Sequence, residues 1–230
     1  MSIEELVQLE ELQQQLETLA DTHLLSRFGR IAAGRKADGS VITEADLSMQ
    51  AAVGDWLRRR YPRIPLLAEE QSAQEHQRLL EHADSGVWCL DPLDGTANFA
   101  AGMPLFSVSL ALISRGRVMA GLVYDPVRRE AFAALAGQGA WLNGKPLDVA
   151  GAAPGALDAC VAMVDFKRLS ETLATRLAVD PPYRSQRSIG SVALDWAWLA
   201  AGRFQLYLHG GQKLWDYAAG YLVAAEAGAG

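Results

Sequence analysis

Three acidic positions in this 230-residue chain share one placement. Glu69 and Glu70 follow the apolar run 64–68, Asp91 and Asp94 follow the apolar run 87–90, and Asp216 opens a helix after Leu214 and Trp215. Acids at strand ends converge on one edge of a sheet while the strands themselves stay apolar. Convergent carboxylates repel, and burial raises their cost, so unless one is protonated a cation must compensate. An all-oxygen donor set selects a hard cation. With few protein ligands and room for water and a substrate phosphate, Mg²⁺ is favoured over Ca²⁺.

The run Asp91-Pro92-Leu93-Asp94-Gly95-Thr96 is the densest of these. Pro92 sets one φ angle and suits a first helical turn or a tight turn, which brings both aspartates to one side. Gly95 and Thr96 then offer backbone N–H groups and a hydroxyl near a helix start, a geometry that holds anions. Cation ligands beside an anion cradle are the parts phosphoryl transfer needs. Phosphate-monoester hydrolysis demands accelerations up to ~10²¹, and metal ions that clamp the attacking and leaving oxygens can supply much of it. Each residue also has a plainer reading. Asp-Pro and Asp-Gly are common turn dipeptides, Asp216 suits a helix N-cap, and Asp46, three residues after Thr43, suits the acid of a capping box.

The bulk of the chain narrows its class. Half the residues are hydrophobic and 21% are charged, enough for a sizeable core without disulfides. The net charge of −6 speaks against a polyanion-binding surface, so no direct nucleic-acid binding is expected. Arg58, Arg59 and Arg60 are read as the last turn of a helix, where cations favour the dipole. Cys89 and Cys160 lack any paired spacing and are read as buried, reduced thiols. The acidic, Gln-rich start is unlike a signal peptide, and no apolar run reaches the ~20 residues of a membrane span. A soluble cytoplasmic protein is the expectation. His23, His76 and His82 are read as surface histidines.

The elements that must position the acids follow from periodicity. Helical spacing is predicted over 3–28, 44–61, 71–83, 169–177, 191–201 and 215–226, with Thr43 capping the second of these. Strands are predicted at 64–68, 87–90 (ending at Asp91), 105–113, 118–124, 130–135, 159–164 and 204–208. The connection 114–117 is too short for a crossover, so the middle strands form an antiparallel meander, and Asn143-Gly144 closes a hairpin. Mixed α+β in layers is the predicted class. Residues 1–150 form an α+β half carrying most of the acids, and 151–230 a second half supplying Asp216 and substrate contacts.

With these residues in place, the chain resembles the inositol monophosphatase family of metal-dependent sugar phosphatases. DPLDGTANF (91–99) resembles the family's first signature and LWDYAAGYLVAAEAG (214–228) its second. ITEAD (42–46), LLAEE (66–70), GQGAWLNG (137–144) and RSIGSVALDWAWLAAGR (187–203) match in the expected order. The resemblance implies a layered α-β-α-β-α sandwich, a homodimer, lithium sensitivity, and two or three Mg²⁺ ions held by Glu69, Asp91, Asp94, Asp216 and the Leu93 carbonyl. Gly95, Thr96 and the Ala97 backbone would hold the phosphate, Glu69 and Thr96 would activate water, and Asp46 and Lys36 would border the most labile ion. Glu70 stands beside the first ligand.

Four departures accompany the likeness. Ala68 replaces a glycine and Ala97 a threonine, and His209 stands where inositol-preferring members carry a glutamate that contacts substrate hydroxyls. The chain also stops at Gly230, where the family pattern continues with further strands and a helix, so an uncovered sheet edge or core face is expected. Inositol, histidinol and fructose phosphates and 3′-phosphonucleotides all remain candidate substrates. The alternative class is a regulatory or interaction protein that keeps the fold, as in family members that bind the transcription machinery. Gly137-x-Gly139 lacks the third glycine of a dinucleotide fingerprint, and no G-x-S-x-G occurs.

Overall fold

The computed structural model describes residues 8–30, 34–35, 41–81, 85–151 and 155–230. Lys36 and His82 lie outside the described residues. The first helix, α1 (Leu9–Ala20), runs on into a π turn, Asp21–Leu25. A two-residue ribbon, β1 (Gly34–Arg35) with β2 (Val41–Ile42), precedes α2 (Glu44–Arg60). Then come β3 (Leu66–Ala68), α3 (Ala73–Glu81), β4 (Val87–Asp94) and the short α4 (Thr96–Ala100). The meander follows: β5 (Ser107–Ser114), β6 (Arg117–Asp125), β7 (Glu130–Leu135), β8 (Gly139–Leu142) and β9 (Lys145–Leu147). The last third holds β10 (Val161–Val164), α5 (Glu171–Val179), β11 (Ser185–Arg187), α6 (Val192–Ala200), β12 (Leu206–Leu208) and α7 (Leu214–Glu226).

Seven strands form one sheet in sequence order from β3 to β9, antiparallel except for the β3–β4 pair. Both faces of its central strands are buried, so these read as near-continuous apolar runs. Leu12 and Leu16 of α1 and Met49 and Val53 of α2 cluster with Trp88, Leu90 and Leu110 on one face. Ala193 and Ala197 of α6 and Ala219 and Val223 of α7 cluster with Val87, Cys89 and Phe132 on the other. The close approach of α7 requires Gly121, where a Cβ would lie 2.7 Å from Ala219 O.

Beyond α6 lies a parallel three-stranded sheet of order β11-β10-β12, joined to the helix by Trp196 on Tyr207 with ring centroids 5.1 Å apart. Ala162 and Val164 of this sheet cluster with Leu177 of α5. The order is therefore α-β-α-β-α, the predicted layered sandwich. The Asn143-Gly144 turn forms as expected, with φ of 49° and 76° between the paired Leu142 and Lys145. Both cysteines are free and buried. Among the described residues no helix is long and apolar enough to cross a membrane.

Two differences in boundary from the sequence reading matter for the site. Strand β4 does not end at Asp91 but runs through Asp94. Asp216 does not open α7; it is the helix's third residue, and its Oδ2 accepts the Lys213 N–H at 2.9 Å. Two histidines are also not simple surface residues. His23 Nδ1 lies 2.7 Å from Ser48 Oγ. His76 Nε2 lies 2.8 Å from the Ala68 carbonyl oxygen, and its ring packs 4.8 Å from that of Trp215. It thus ties β3 to α7 next to Glu69 and Asp216.

Candidate active site

The placement of Asp91 and Asp94 depends on a β-bulge. Residues three apart on a regular strand face opposite sides of a sheet. Here Asp91 stands opposite Ser109 and Asp94 opposite Ser107, so four residues of β4 span the length of three on β5. The extra residue restores parity, and both aspartates face the α6–α7 side. Pro92 is tolerated because β3 stops pairing β4 near Leu90, so a missing N–H breaks no ladder there. Asp91 Oδ1 accepts the Leu93 N–H at 3.0 Å, the bond expected of an aspartate in a turn.

Asp94 points at the start of α6. It accepts the Ser191 hydroxyl and the N–H groups of Val192 and Ala193, the latter two at 3.2 and 2.8 Å. Gly95 follows with φ of 92°, turning the chain into α4. Thr96 Oγ1 lies 2.9 Å from both Asp46 Oδ1 and the Leu93 carbonyl oxygen, which share its one hydrogen. Asp46 takes the capping role its sequence offers and also reaches Thr96. Its Oδ2 accepts from Thr43 N and Oγ1 at 2.8 and 2.6 Å in a capping box, while its Oδ1 serves Thr96. Fully buried behind Thr96, Asp46 has its pKa raised by burial, against hydrogen bonds from Thr43 and Thr96.

A cavity of about 350 Å³ gathers Glu69, Asp91, Leu93, Asp94, Gly95, Thr96, Ala97, His209 and Asp216. Asp46 and Glu70 are not on its wall; the Glu70 N–H donates to Gln50 Oε1 at 3.2 Å. Asp91 and Asp94 are only 2% and 7% exposed. Burial pushes the Asp91 carboxyl well above the carboxylate range, and Glu69, Asp94 and Asp216 push it further. Burial and then Asp216 raise Asp94 to about 7, against its hydrogen bonds from α6. Among the described residues, no three acidic, His or Cys side chains are drawn to the spacing of ligands around a single ion. All-oxygen carboxylates spread along one wall fit hard cations that complete their shells with water and substrate oxygens.

Four charged cavity residues were not singled out from sequence: Asp165, Lys167, Arg168 and Asp195. Ser191 joins them at the N-cap position of α6; the signal that could have found it is a small polar residue just before an apolar helix. Asp195, 5% exposed, is raised to about 8 by burial and then by Asp94, against a hydrogen bond from Tyr207. A carboxyl raised in the folded state contributes stability that is intact below its unfolded pKa and is lost as pH rises through the folded one. The metal-free protein should therefore lose stability between about pH 4 and about pH 8 through this group. Asp195→Asn should flatten that slope and, at pH 9 in EDTA, be on the order of 2 kcal/mol more stable than the parent. Urea melts across pH test this; an unchanged slope would exclude Asp195 as its source. A larger cavity of about 600 Å³, lined by Trp196, Tyr207 and Tyr221 among others, contains no acidic side chain.

Comparison with known proteins identifies the family and the fold. The profile of the inositol monophosphatase family matches residues 5–230. The Nus factor SuhB of Pasteurella multocida (strain Pm70) is 37% identical over 199 residues, covering 84% of this chain and 72% of that protein. Among solved structures, the IMPase of Thermotoga maritima superposes with a TM-score of 0.80 at 30% identity, covering 96% of this chain and 83% of its own. The extragenic suppressor protein suhB of Bartonella henselae gives the same score and identity over 96% and 85%. With a family profile over nearly its whole length and a shared fold, the chain belongs to the inositol monophosphatase family.

Proposed function

We propose that the chain hydrolyses a small phosphomonoester with Mg²⁺ as cofactor. The observation that carries this reading is Asp91, a buried carboxyl that shares one cavity wall with Glu69, Asp94 and Asp216 and is pushed toward protonation by burial first and then by those acids. Such a cluster ionises at neutral pH only beside cations. Glu69, Asp91, Asp94, Asp216 and the Leu93 carbonyl would hold two or three ions. When bound, Mg²⁺ supplies a water of lowered pKa and neutralises charge on the phosphoryl oxygens.

The chain's own groups do the positioning. Thr96, its hydrogen engaged by Asp46 and Leu93, keeps lone pairs free to accept a hydrogen bond from the attacking water. Glu69 takes that water's proton. The N–H groups of Gly95, Thr96 and Ala97, at the start of α4, would hold the phosphate. His209 and Asp216 contact the alcohol part. Homodimer formation, lithium sensitivity and a cytoplasmic location belong to the same reading.

Phosphate release from inositol, histidinol and fructose phosphates and 3′-phosphonucleotides is expected to require Mg²⁺, to stop in EDTA and to return on readdition. Release that proceeds without magnesium, or that survives Asp94→Asn, would sink the proposal. A second reading, a regulatory protein acting through partners, has the relatives' name of Nus factor in its favour. Inactivity across the panel together with one specific bound partner would select it.

A further inference from the structure

The cavity carries a second charged feature, opposite in sign to its base. Lys167 and Arg168 line it and are exposed, whereas Asp91 and Asp94 are buried. The two cations therefore stand at the rim and the carboxylates at the bottom. The segment bearing them, Phe166–Arg168, is a single 3-10 turn clamped to the end of β12. Asp165 N–H donates to Leu208 O at 3.1 Å, and the Asp165 carboxylate lies 3.5 Å from His209 Nε2. Gly210 packs so tightly that a Cβ there would lie 1.7 Å from the Arg168 carbonyl oxygen. The backbone of this rim is thus held in place, and the two long side chains are what remain free to move.

Among the described residues, no carboxylate forms an ion pair with either of these cations. Arg58, Arg60, Arg78, Arg128, Arg129 and Arg203 all pair with acids. The neighbouring Asp165 is turned to His209. His209 is no anion to pair with them, and its pKa is lowered by burial, raised by Asp165 and lowered again by Arg168 and Lys167. Arg offers a planar fork and Lys a point charge, and both suit an oxyacid. A cavity of about 350 Å³ has the size of one small ligand.

We propose that Lys167 and Arg168 form a second anion subsite, so that the preferred phosphomonoester carries another negative group, a carboxylate or a second phosphate, on its alcohol part. This rests on the phosphatase reading above. The test compares propyl phosphate, 2-carboxyethyl phosphate and propane-1,3-diyl bisphosphate in Mg²⁺ with the full chain. The anionic esters should show kcat/KM at least about tenfold above propyl phosphate, and which of the two leads identifies the group. Lys167→Gln with Arg168→Gln should erase that advantage through KM, leaving kcat, the propyl phosphate rate and the melting temperature unchanged. Equal handling of the three esters by the parent, or an equal loss on all three in the double variant, overturns the subsite. If no ester releases phosphate, the reaction proposed above fails instead. Calorimetric Kd values for the same esters then decide the subsite by the same ratio.

Discussion

Asp91→Asn is expected to reduce Mg²⁺-dependent phosphate release by about a thousandfold or more while raising the melting temperature of the protein in EDTA by several degrees. The two effects have opposite signs because one charge has two roles. A ligand to a catalytic cation contributes several kcal/mol of transition-state stabilisation, and each 1.4 kcal/mol is tenfold in rate. Without the cation the same carboxyl is 2% exposed and faces Glu69, Asp94 and Asp216, so ionising it opposes folding. The asparagine oxygen can still accept the Leu93 N–H that Asp91 accepts at 3.0 Å. Removing the charge should then stabilise the metal-free state by about 1–3 kcal/mol, or roughly 2–4 °C per kcal/mol in a chain of this size. Loss of activity together with loss of stability would mean that Asp91 acts only as a turn residue.

Gly95→Ala should lower stability by about 2–4 kcal/mol and depress kcat together with it. The φ of 92° disfavours any side chain, and a Cβ would lie 2.8 Å from Leu105 O and 3.3 Å from Phe106 Cα and Ser191 Cβ. Two of these neighbours are backbone atoms and cannot rotate away. The third carries the hydroxyl that bonds Asp94, so relief of the clash displaces the acid. Gly102→Ala provides the control, because φ there is 74° but nothing lies within 4 Å of the added carbon. It should lose only about 1 kcal/mol and keep full activity. Equal urea midpoints for the two variants would show that close approach at Gly95 contributes nothing.

Features made by neighbours in sequence were legible before any coordinates. Thr43 caps α2, Asn143-Gly144 turns a hairpin and the meander strands pair in order, because each depends on contacts within a few residues. The ordered signatures also pointed to the family, since runs such as DPLDGTANF and LWDYAAGYLVAAEAG are contiguous in the chain. Four of the predicted strands begin later than expected, at Leu66, Ser107, Val161 and Leu206, since periodicity marks apolar stretches rather than ladder bonds. Strand β11 was missed, and of the short helix α4 only the start at Gly95 and Thr96 was legible, because three and five residues carry too little pattern.

Asp91 and Asp94 show where the sequence stops. Their types, their spacing and the proline between them announced a charged turn, and those depend on the local chain alone. That both face one cavity was decided by the bulge against Ser107 and Ser109, a register set by pairing with a strand that begins thirteen residues after Asp94. The partners of Asp94 come from α6, nearly a hundred residues away, and the cations at the rim from the turn before α5. Such contacts depend on the packing of layers. The sequence by itself determined which groups could do chemistry, and only the tertiary structure decided which of them meet.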